Sequence, residues 1–519
     1  MKKSIKRLTA LAASAMLLIG SMAGCQSNTA NEGTTTSAAN SGQTQTSAAD
    51  QTTKGSEERQ KVSIMSLTFN GNPVTEDNIL VQKLEEYTGY DIEWTWILDA
   101  DYTDKISTMI AGGTLPEITL LKSIDSNAVQ NCRAGAFWDL TDYLSKYENL
   151  SQIDDIVMQN IAIDGKVFGI PRSRTLMRHG IVYRQDWLDA LGLKPATTLD
   201  EFEEILRQFT FNDPDGNGQN DTWGLVSTKA STGFDTAGLW FGAPNGWGED
   251  ASGKLQPAFL FDEYFESMNW MKGLYDEGIL NEDFATLENS GVKDAFKAQQ
   301  TGVYISDADE ANSFYTHFNT ENIDASLTVT ASFETPAGKV APSTDGFSGI
   351  LAVSKASVKT EEDLDRCLTF LDKLNDEYCQ NLFTYGIEGT DYEVNEDGTV
   401  TKLGTGIISL GESDGFNQIM MNVTDKLFKQ TPANELAAQV LDVQAENKNY
   451  IVSNPGKALL RTSDTYNSVG AQLDQLISDA RIQYIVGELD EEGWKSVIES
   501  WRQQGGDKVI EEVNASYSK

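Results

Sequence analysis

Between Val62 and Leu121 the chain alternates strand-like and helix-like patterns, and that order restricts the opening to a parallel α/β sheet. Val62-Ser63-Ile64-Met65-Ser66-Leu67 alternates apolar and polar side chains as a first strand does. A helix follows with Ile79, Leu80, Leu84 and Tyr87 on one face and Gly89 past its end. Residues 91–98 read as a second strand, 102–111 as a second helix and 116–121 as a third strand. Parallel strands joined through helices place their ligand-facing loops at the strand C-terminal ends. Further on, Thr198-Leu199-Asp200-Glu201 forms a capping box, and Leu199, Phe202, Ile205, Leu206 and Phe209 share one apolar face. Helices are expected over 261–277, 361–374, 434–447 and 491–504, so the C-terminal third is helix-rich. The folded body starts near Arg59 and runs for on the order of 460 residues, which suits two large lobes better than one core.

The chain begins with a basic stretch, Lys2, Lys3, Lys6 and Arg7, and an apolar run over 8–19 that is too short to span a bilayer comfortably. The run ends in Met22-Ala23-Gly24-Cys25, which resembles a bacterial lipobox, with Met22 where leucine is usual. In that reading residues 1–24 are a signal peptide, Cys25 is acylated, and 25–58 form a flexible tether of mostly Ser, Thr, Ala, Asn, Gln and Gly. Two acyl chains anchor stably, at about 0.8 kcal/mol per buried methylene. The alternative is an ordinary secretory signal beside a coincidental cysteine.

The formal net charge is −38, and cleavage would remove four basic residues and no acids. So acidic a body repels nucleic acid and anionic lipid, which excludes both as partners. Beyond Cys25 only Cys132, Cys367 and Cys379 remain, too few and wrongly spaced for a disulfide framework or a zinc site. They read as buried structural thiols.

The sharpest motif is Asp213-Pro214-Asp215-Gly216-Asn217-Gly218-Gln219-Asn220-Asp221. Oxygen donors stand at loop positions 1, 3, 5, 7 and 9 with glycine at 6, the spacing of an EF-hand calcium loop. Asp213, Asp215, Asn217, Asp221 and the backbone carbonyl of Gln219 would hold a structural Ca²⁺. Position 12 is Gly224 and not the bidentate glutamate, so other oxygens must complete the shell; a metal-free Asx-rich turn is the alternative. Catalytic patterns are missing: His179 and His317 belong to no metal motif, and no Gly-x-Ser-x-Gly elbow, P-loop or dinucleotide fingerprint occurs. The chain therefore reads as no enzyme. Trp240 and Trp247 flank Gly242-Ala243-Pro244-Asn245-Gly246, a loop, where flat rings could stack on a sugar; core packing is the alternative for each.

Several segments resemble the family 1 extracellular solute-binding proteins, the cargo-capturing lipoproteins of ABC importers. Ala111-Gly112-Gly113-Thr114-Leu115-Pro116-Glu117-Ile118 is similar to the family's Gly-x-x-Pro-Asp-Ile signature, and Asp164 to Pro171 to its crossover between lobes. Tyr183 to Asp221 resembles the oligosaccharide- and alginate-binding subgroup, as do Leu274 to Leu280 and Tyr385 to Gly389. The resemblance implies an α/β, two-lobed periplasmic-binding-protein-like fold with hinge crossings near 171–174, 346–348 and 405. Lobe 1 would comprise 59–171 and 346–405, and lobe 2 would comprise 172–345 and 406–519. It implies a carbohydrate cargo, an oligosaccharide by the subgroup's habit, handed to ABC permease subunits by a monomer tethered to the outer face of the cell membrane. Candidate cargo contacts are Phe69, Asn70, Asp125, Arg172, Arg174, Trp240, Trp247, Asp307 and Asp309. A surface glycan hydrolase and a binding-fold partner of a membrane sensor remain the competing functions.

Overall fold

The computed structural model describes residues 59–229 and 231–517. The signal segment 1–24, the lipidation residue Cys25 and the tether 25–58 lie outside them. Lobe 1 is built on strands β1 (Gln60–Thr68), β2 (Tyr90–Leu98), β3 (Ile118–Leu121) and β4 (Gly169–Ser173). Lobe 2 is built on β5 (His179–Arg184), β6 (Val303–Asp307) and β7 (Leu327–Thr330), and β8 (Phe347–Val353) returns to lobe 1. The first sheet has the order β2-β1-β3-β8-β4. β1 pairs parallel with β2 and β3, whereas β8 is antiparallel to both β3 and β4. The second sheet, β6-β5-β7, is antiparallel throughout.

Local chemistry sets the first lobe's elements. The helix α1 (Ile79–Thr88) starts where the Asn78 side chain accepts the Leu80 N–H and stops at Gly89, whose φ of 79° suits a left-handed cap. It buries Leu80, Val81 and Leu84, while Ile79 and Tyr87 stay exposed, so its core face is rotated from the expected one. Glu117, standing where the family signature has aspartate, accepts the Ser63 N–H at 2.9 Å and bonds Arg366, tying β3 to β1 and to the helix Glu361–Lys373. The three described cysteines are free and buried, on three different helices, and burial pushes Cys132 and Cys367 up to about 12. They are packing groups, unreactive near neutral pH.

The cores locate the lobes. One cluster joins β1–β4 and β8 with Phe416, Ile419, Met421 and Val423. Others join β5–β7 with Leu436, Val440 and Val443 of the helix Glu435–Asn447, or join the C-terminal helices to the helix Asp262–Asp276. The third crossing therefore falls between Phe428 and Leu436, and residues 406–428 belong with lobe 1 and not, as expected, with lobe 2. Met421 decides the side, since its carbonyl accepts the Ser173 N–H and edges the first sheet. That segment has neither helical nor strand periodicity, so its pattern could not announce which core it fills. Among the described residues no helix is long and apolar enough to cross a membrane.

Candidate ligand cleft

β1, β3 and β4 run the same way, so their C-terminal ends share one edge of the lobe 1 sheet. The chain leaves that edge at Arg174 and enters β5 at His179, opposite the end of β6 at Asp307. A second connection runs alongside: Arg174 N–H donates to Gly346 O at 2.8 Å, and Thr344 N–H to Leu176 O at 2.9 Å. Two such hydrogen-bonded connections make a narrow hinge between the sheet edges.

Phe69 and Asn70 follow β1 on this edge, with the Phe69 ring 59% exposed. Asp125 caps the helix Ser126–Arg133, accepting the Ala128 N–H at 2.9 Å, and keeps part of its carboxylate in solvent. Arg172 is a correction to the expected contacts, for it is only 5% exposed and bolts the lobe 1 side of the hinge. Its Nη1 donates to Ser348 O at 3.1 Å and its Nη2 to Gln418 Oε1 at 2.8 Å. Burial, with the neighbouring Arg174 charge, lowers its pKa to about 10. Arg174, two residues on, is exposed and uses one Nη1 on the Ser173 carbonyl.

Asp307 and Asp309 are held together by Arg178, a residue the sequence reading passed over. Arg178 Nη1 lies 3.0 Å from Asp307, while Nε and Nη2 grip Asp309 at 3.2 and 2.6 Å. Such a fork fixes both carboxylates at the crossing. Burial raises the Asp307 pKa even against that arginine. Beside it a cavity of about 240 Å³ is lined by Ser227, Thr228, Lys293, Tyr304, Ser306 and Asp307 over an aromatic floor. Hydroxyls and charged groups around an apolar floor suit a polyhydroxylated ligand.

Trp240 and Trp247 are more buried than residues of an open loop would be. Trp240 is 2% exposed inside the helix Ser231–Phe241, edge-on to Phe202 and Trp270, and contributes only to the floor of that cavity. Trp247 is 7% exposed, on the strand Trp247–Glu249, with Gly456 packed against its ring. Trp240 still lines the cavity beside Asp307, whereas Trp247 does not. Their flanking loop is real, but both indoles turn inward because the helix and strand on either side face a core.

The loop 213–221 leaves the helix Leu199–Phe211 with Asp213 at φ 45° and Gly216 and Gly218 at 67° and 78°. Asn217 Nδ2 donates to Asp215 Oδ2 at 2.8 Å and to Asp221 Oδ1 at 3.2 Å, drawing the two carboxylates together. Asp213 Oδ1 is buried without a hydrogen-bond partner. Burial raises the Asp215 pKa, and the charges of Asp221 and Asp213 add to the shift. Among the described residues no cluster of three or more His, Cys, Asp or Glu side chains is closed around a metal position. The mixed donor set, with an orphaned carboxylate oxygen and crowded negative charge, nonetheless fits a hard cation such as Ca²⁺.

Residues 72–374 match the profile of the family described as bacterial extracellular solute-binding protein. The chain belongs to that family. It is 36% identical over 466 residues to lipoprotein LipO of Bacillus subtilis strain 168, covering 88% of this chain and 92% of LipO. It is 32% identical over 467 residues to the polygalacturonan/rhamnogalacturonan-binding protein YtcQ of the same organism, covering 89% and 92%. The solved structure of the S. pneumoniae ABC-transporter substrate binding protein FusA, an EF-hand mutant in complex with fructo-nystose, superposes with a TM-score of 0.60 at 18% identity. That match covers 88% of this chain and 99% of FusA, and it establishes the two-lobed fold. The chain is thus an extracellular solute-binding protein.

Proposed function

We propose that this protein captures a carboxylate-bearing oligosaccharide between its lobes and delivers it to the permease of an ABC importer, tethered to the outer face of the cell membrane through acylated Cys25. The observation that carries the anionic part is Arg174. It stands exposed at the hinge edge of the cleft, and no carboxylate among the described residues bonds it, in a chain of net charge −38. The other exposed arginines among the described residues, Arg59 and Arg133, both have acidic partners. An unneutralised guanidinium in an acidic protein is suited to a ligand's carboxylate. The polygalacturonan binding that YtcQ is named for fits this reading, as does the hydroxyl-lined cavity beside Asp307.

Cargo touching both sheet edges would favour the closed hinge, and the permease would engage that form. A charge-assisted hydrogen bond contributes about 1.5–3 kcal/mol. Arg174→Ala is therefore expected to weaken trigalacturonate binding roughly 10- to 150-fold, by the tenfold-per-1.4-kcal/mol relation, and to leave the melting temperature of the free protein unchanged. Equal affinity in both proteins, measured by calorimetric titration, would remove the anionic assignment.

In the same reading Asp213, Asp215, Asn217, Asp221 and the Gln219 carbonyl hold a structural calcium ion, as the EF-hand of FusA suggests by analogy. The ion would neutralise crowded carboxylates and fix the turn. Calcium at about 1 mM, the range of extracellular calcium modules, is expected to raise the melting temperature of the wild type and not of Asp215→Ala. Calcium binds the ionised carboxylate, and the raised Asp215 pKa lets protons compete at a higher pH than an ordinary aspartate would. The calcium-induced shift should accordingly shrink as pH falls from 7 toward the carboxylate range. A response identical in wild type and Asp215→Ala contradicts the site.

A further inference from the structure

The loop carrying Phe69 and Asn70 is held by one side chain from the far end of lobe 1. Asp414 lies 345 residues from Phe69 in sequence and half-buried beneath the loop. Its carboxylate accepts the Phe69 N–H at 3.0 Å and the Asn70 N–H at 3.1 Å, with a further bond from the Thr68 hydroxyl. Its own carbonyl accepts the Val74 N–H at 3.3 Å, so a single residue fastens both ends of the turn. Asn70 Oδ1 in turn accepts the Asn72 N–H at 2.8 Å. Successive backbone N–H groups converging on one carboxylate form a nest, a concave site whose partial positive charge matches the anion.

The following residue shows that this approach is built and not incidental. Gly415 has a φ of 81°, and a Cβ there would lie 2.6 Å from the Trp96 ring and 2.7 Å from the Leu67 carbonyl. Only glycine brings Asp414 this close to the end of β1. The result is a loop with a fixed backbone and a freely exposed ring, the arrangement that lowers the ordering cost of binding.

We propose that Asp414 is a positioning residue for cargo recognition, setting the Phe69 ring and the Asn70 side chain at the mouth of the cleft while touching no cargo itself. The assignment rests on the reading that the Phe69 loop is part of the ligand cleft. Partial burial works against the Asp414 charge, but its hydrogen bonds outweigh that and hold its pKa below the ordinary aspartate value. The clamp is thus intact at neutral and mildly acidic pH and loosens only as pH falls through that lowered value.

Hydrogen–deuterium exchange of the full chain and titration with trigalacturonate test this in Asp414→Ala, Asp414→Asn and Phe69→Ala. Asp414→Ala is expected to speed exchange at the 69 and 70 amides at least tenfold, with the strands unchanged, and to weaken trigalacturonate at least tenfold. Asp414→Asn keeps one carbonyl acceptor and should show a smaller change in both. Combining Asp414→Ala with Phe69→Ala should bind no more weakly than the poorer single variant, because the aspartate acts through the loop. Unchanged exchange overturns the clamp whatever the affinity. Faster exchange with undiminished affinity in Asp414→Ala overturns the positioning role, and Phe69→Ala then separates the causes. If Phe69→Ala binds poorly, the cleft reading stands without Asp414; if it binds normally, the cleft reading of this loop fails as well.

Discussion

Gly224→Ala is expected to destabilise the protein by more than about 3 kcal/mol, through overpacking against backbone that cannot yield. A Cβ at this position would stand 2.1 Å from the Leu206 carbonyl oxygen, inside the helix Leu199–Phe211. The strand-like segment after the acidic loop lies flush on that helix: Thr222 Oγ1 donates to Phe209 O at 2.7 Å, and Gly224 N–H donates to Thr210 Oγ1 at 2.8 Å. Relief would require moving a helix whose Phe202, Ile205, Leu206 and Phe209 fill the lobe 2 core. The same geometry explains the missing EF-hand glutamate. Gly224 occupies loop position 12, where no side chain fits, so Gly224→Glu would disrupt the lobe and not improve calcium binding. A urea midpoint for Gly224→Ala close to the wild-type value would refute this account of the loop.

Trp240→Ala is expected to cost about 3–5 kcal/mol, the range for deleting a buried large aromatic. Trp240 packs edge-on against Phe202 at 5.5 Å and Trp270 at 5.9 Å, and tilted against Phe333 at 5.1 Å. The loss would appear in the melting temperature of the cargo-free protein. A stacking role would show the opposite signature, with stability kept and affinity lost. Comparing denaturation midpoints with trigalacturonate affinities under conditions where the variant is folded separates the two.

Trp240 also shows what the sequence could and could not convey. Short-range chemistry was legible. Thr198 caps its helix by accepting the Glu201 N–H at 3.2 Å, and Glu201 reaches back to the Thr197 N–H at 2.8 Å, one residue before the expected partner. The alternating opening likewise gives β1, β2 and β3 nearly where the pattern places them, because strand and helix periodicities are local. Orientation was not local. Whether an indole beside a loop turns outward depends on which core lies beneath it, and for Trp240 and Trp247 the core prevails. The third crossing was hidden for a related reason, since Phe416, Ile419 and Met421 sit in irregular backbone and are claimed by lobe 1 through tertiary packing. Arg174 and Asp307 are proposed as cleft residues from their place beside strands, whereas Arg178 and Asp414 declare themselves only through partners 131 and 345 residues away. No spacing rule connects such pairs.

The acidic surface takes on a different meaning once Arg174 is located. Spread over 78 acidic and 40 basic residues, the charge serves solubility and repels polyanions in general. In the proposed reading, an exposed guanidinium at the hinge would give a carboxylated ligand a favourable place to bind, which would make selectivity a property of the cleft and not of net charge.

The central claim is tested most directly by calorimetric titration of the purified protein with trigalacturonate and, separately, with neutral maltotriose. The account predicts one trigalacturonate bound per chain and at least tenfold weaker binding of maltotriose; equal affinity for the two, or no heat with either, would contradict it.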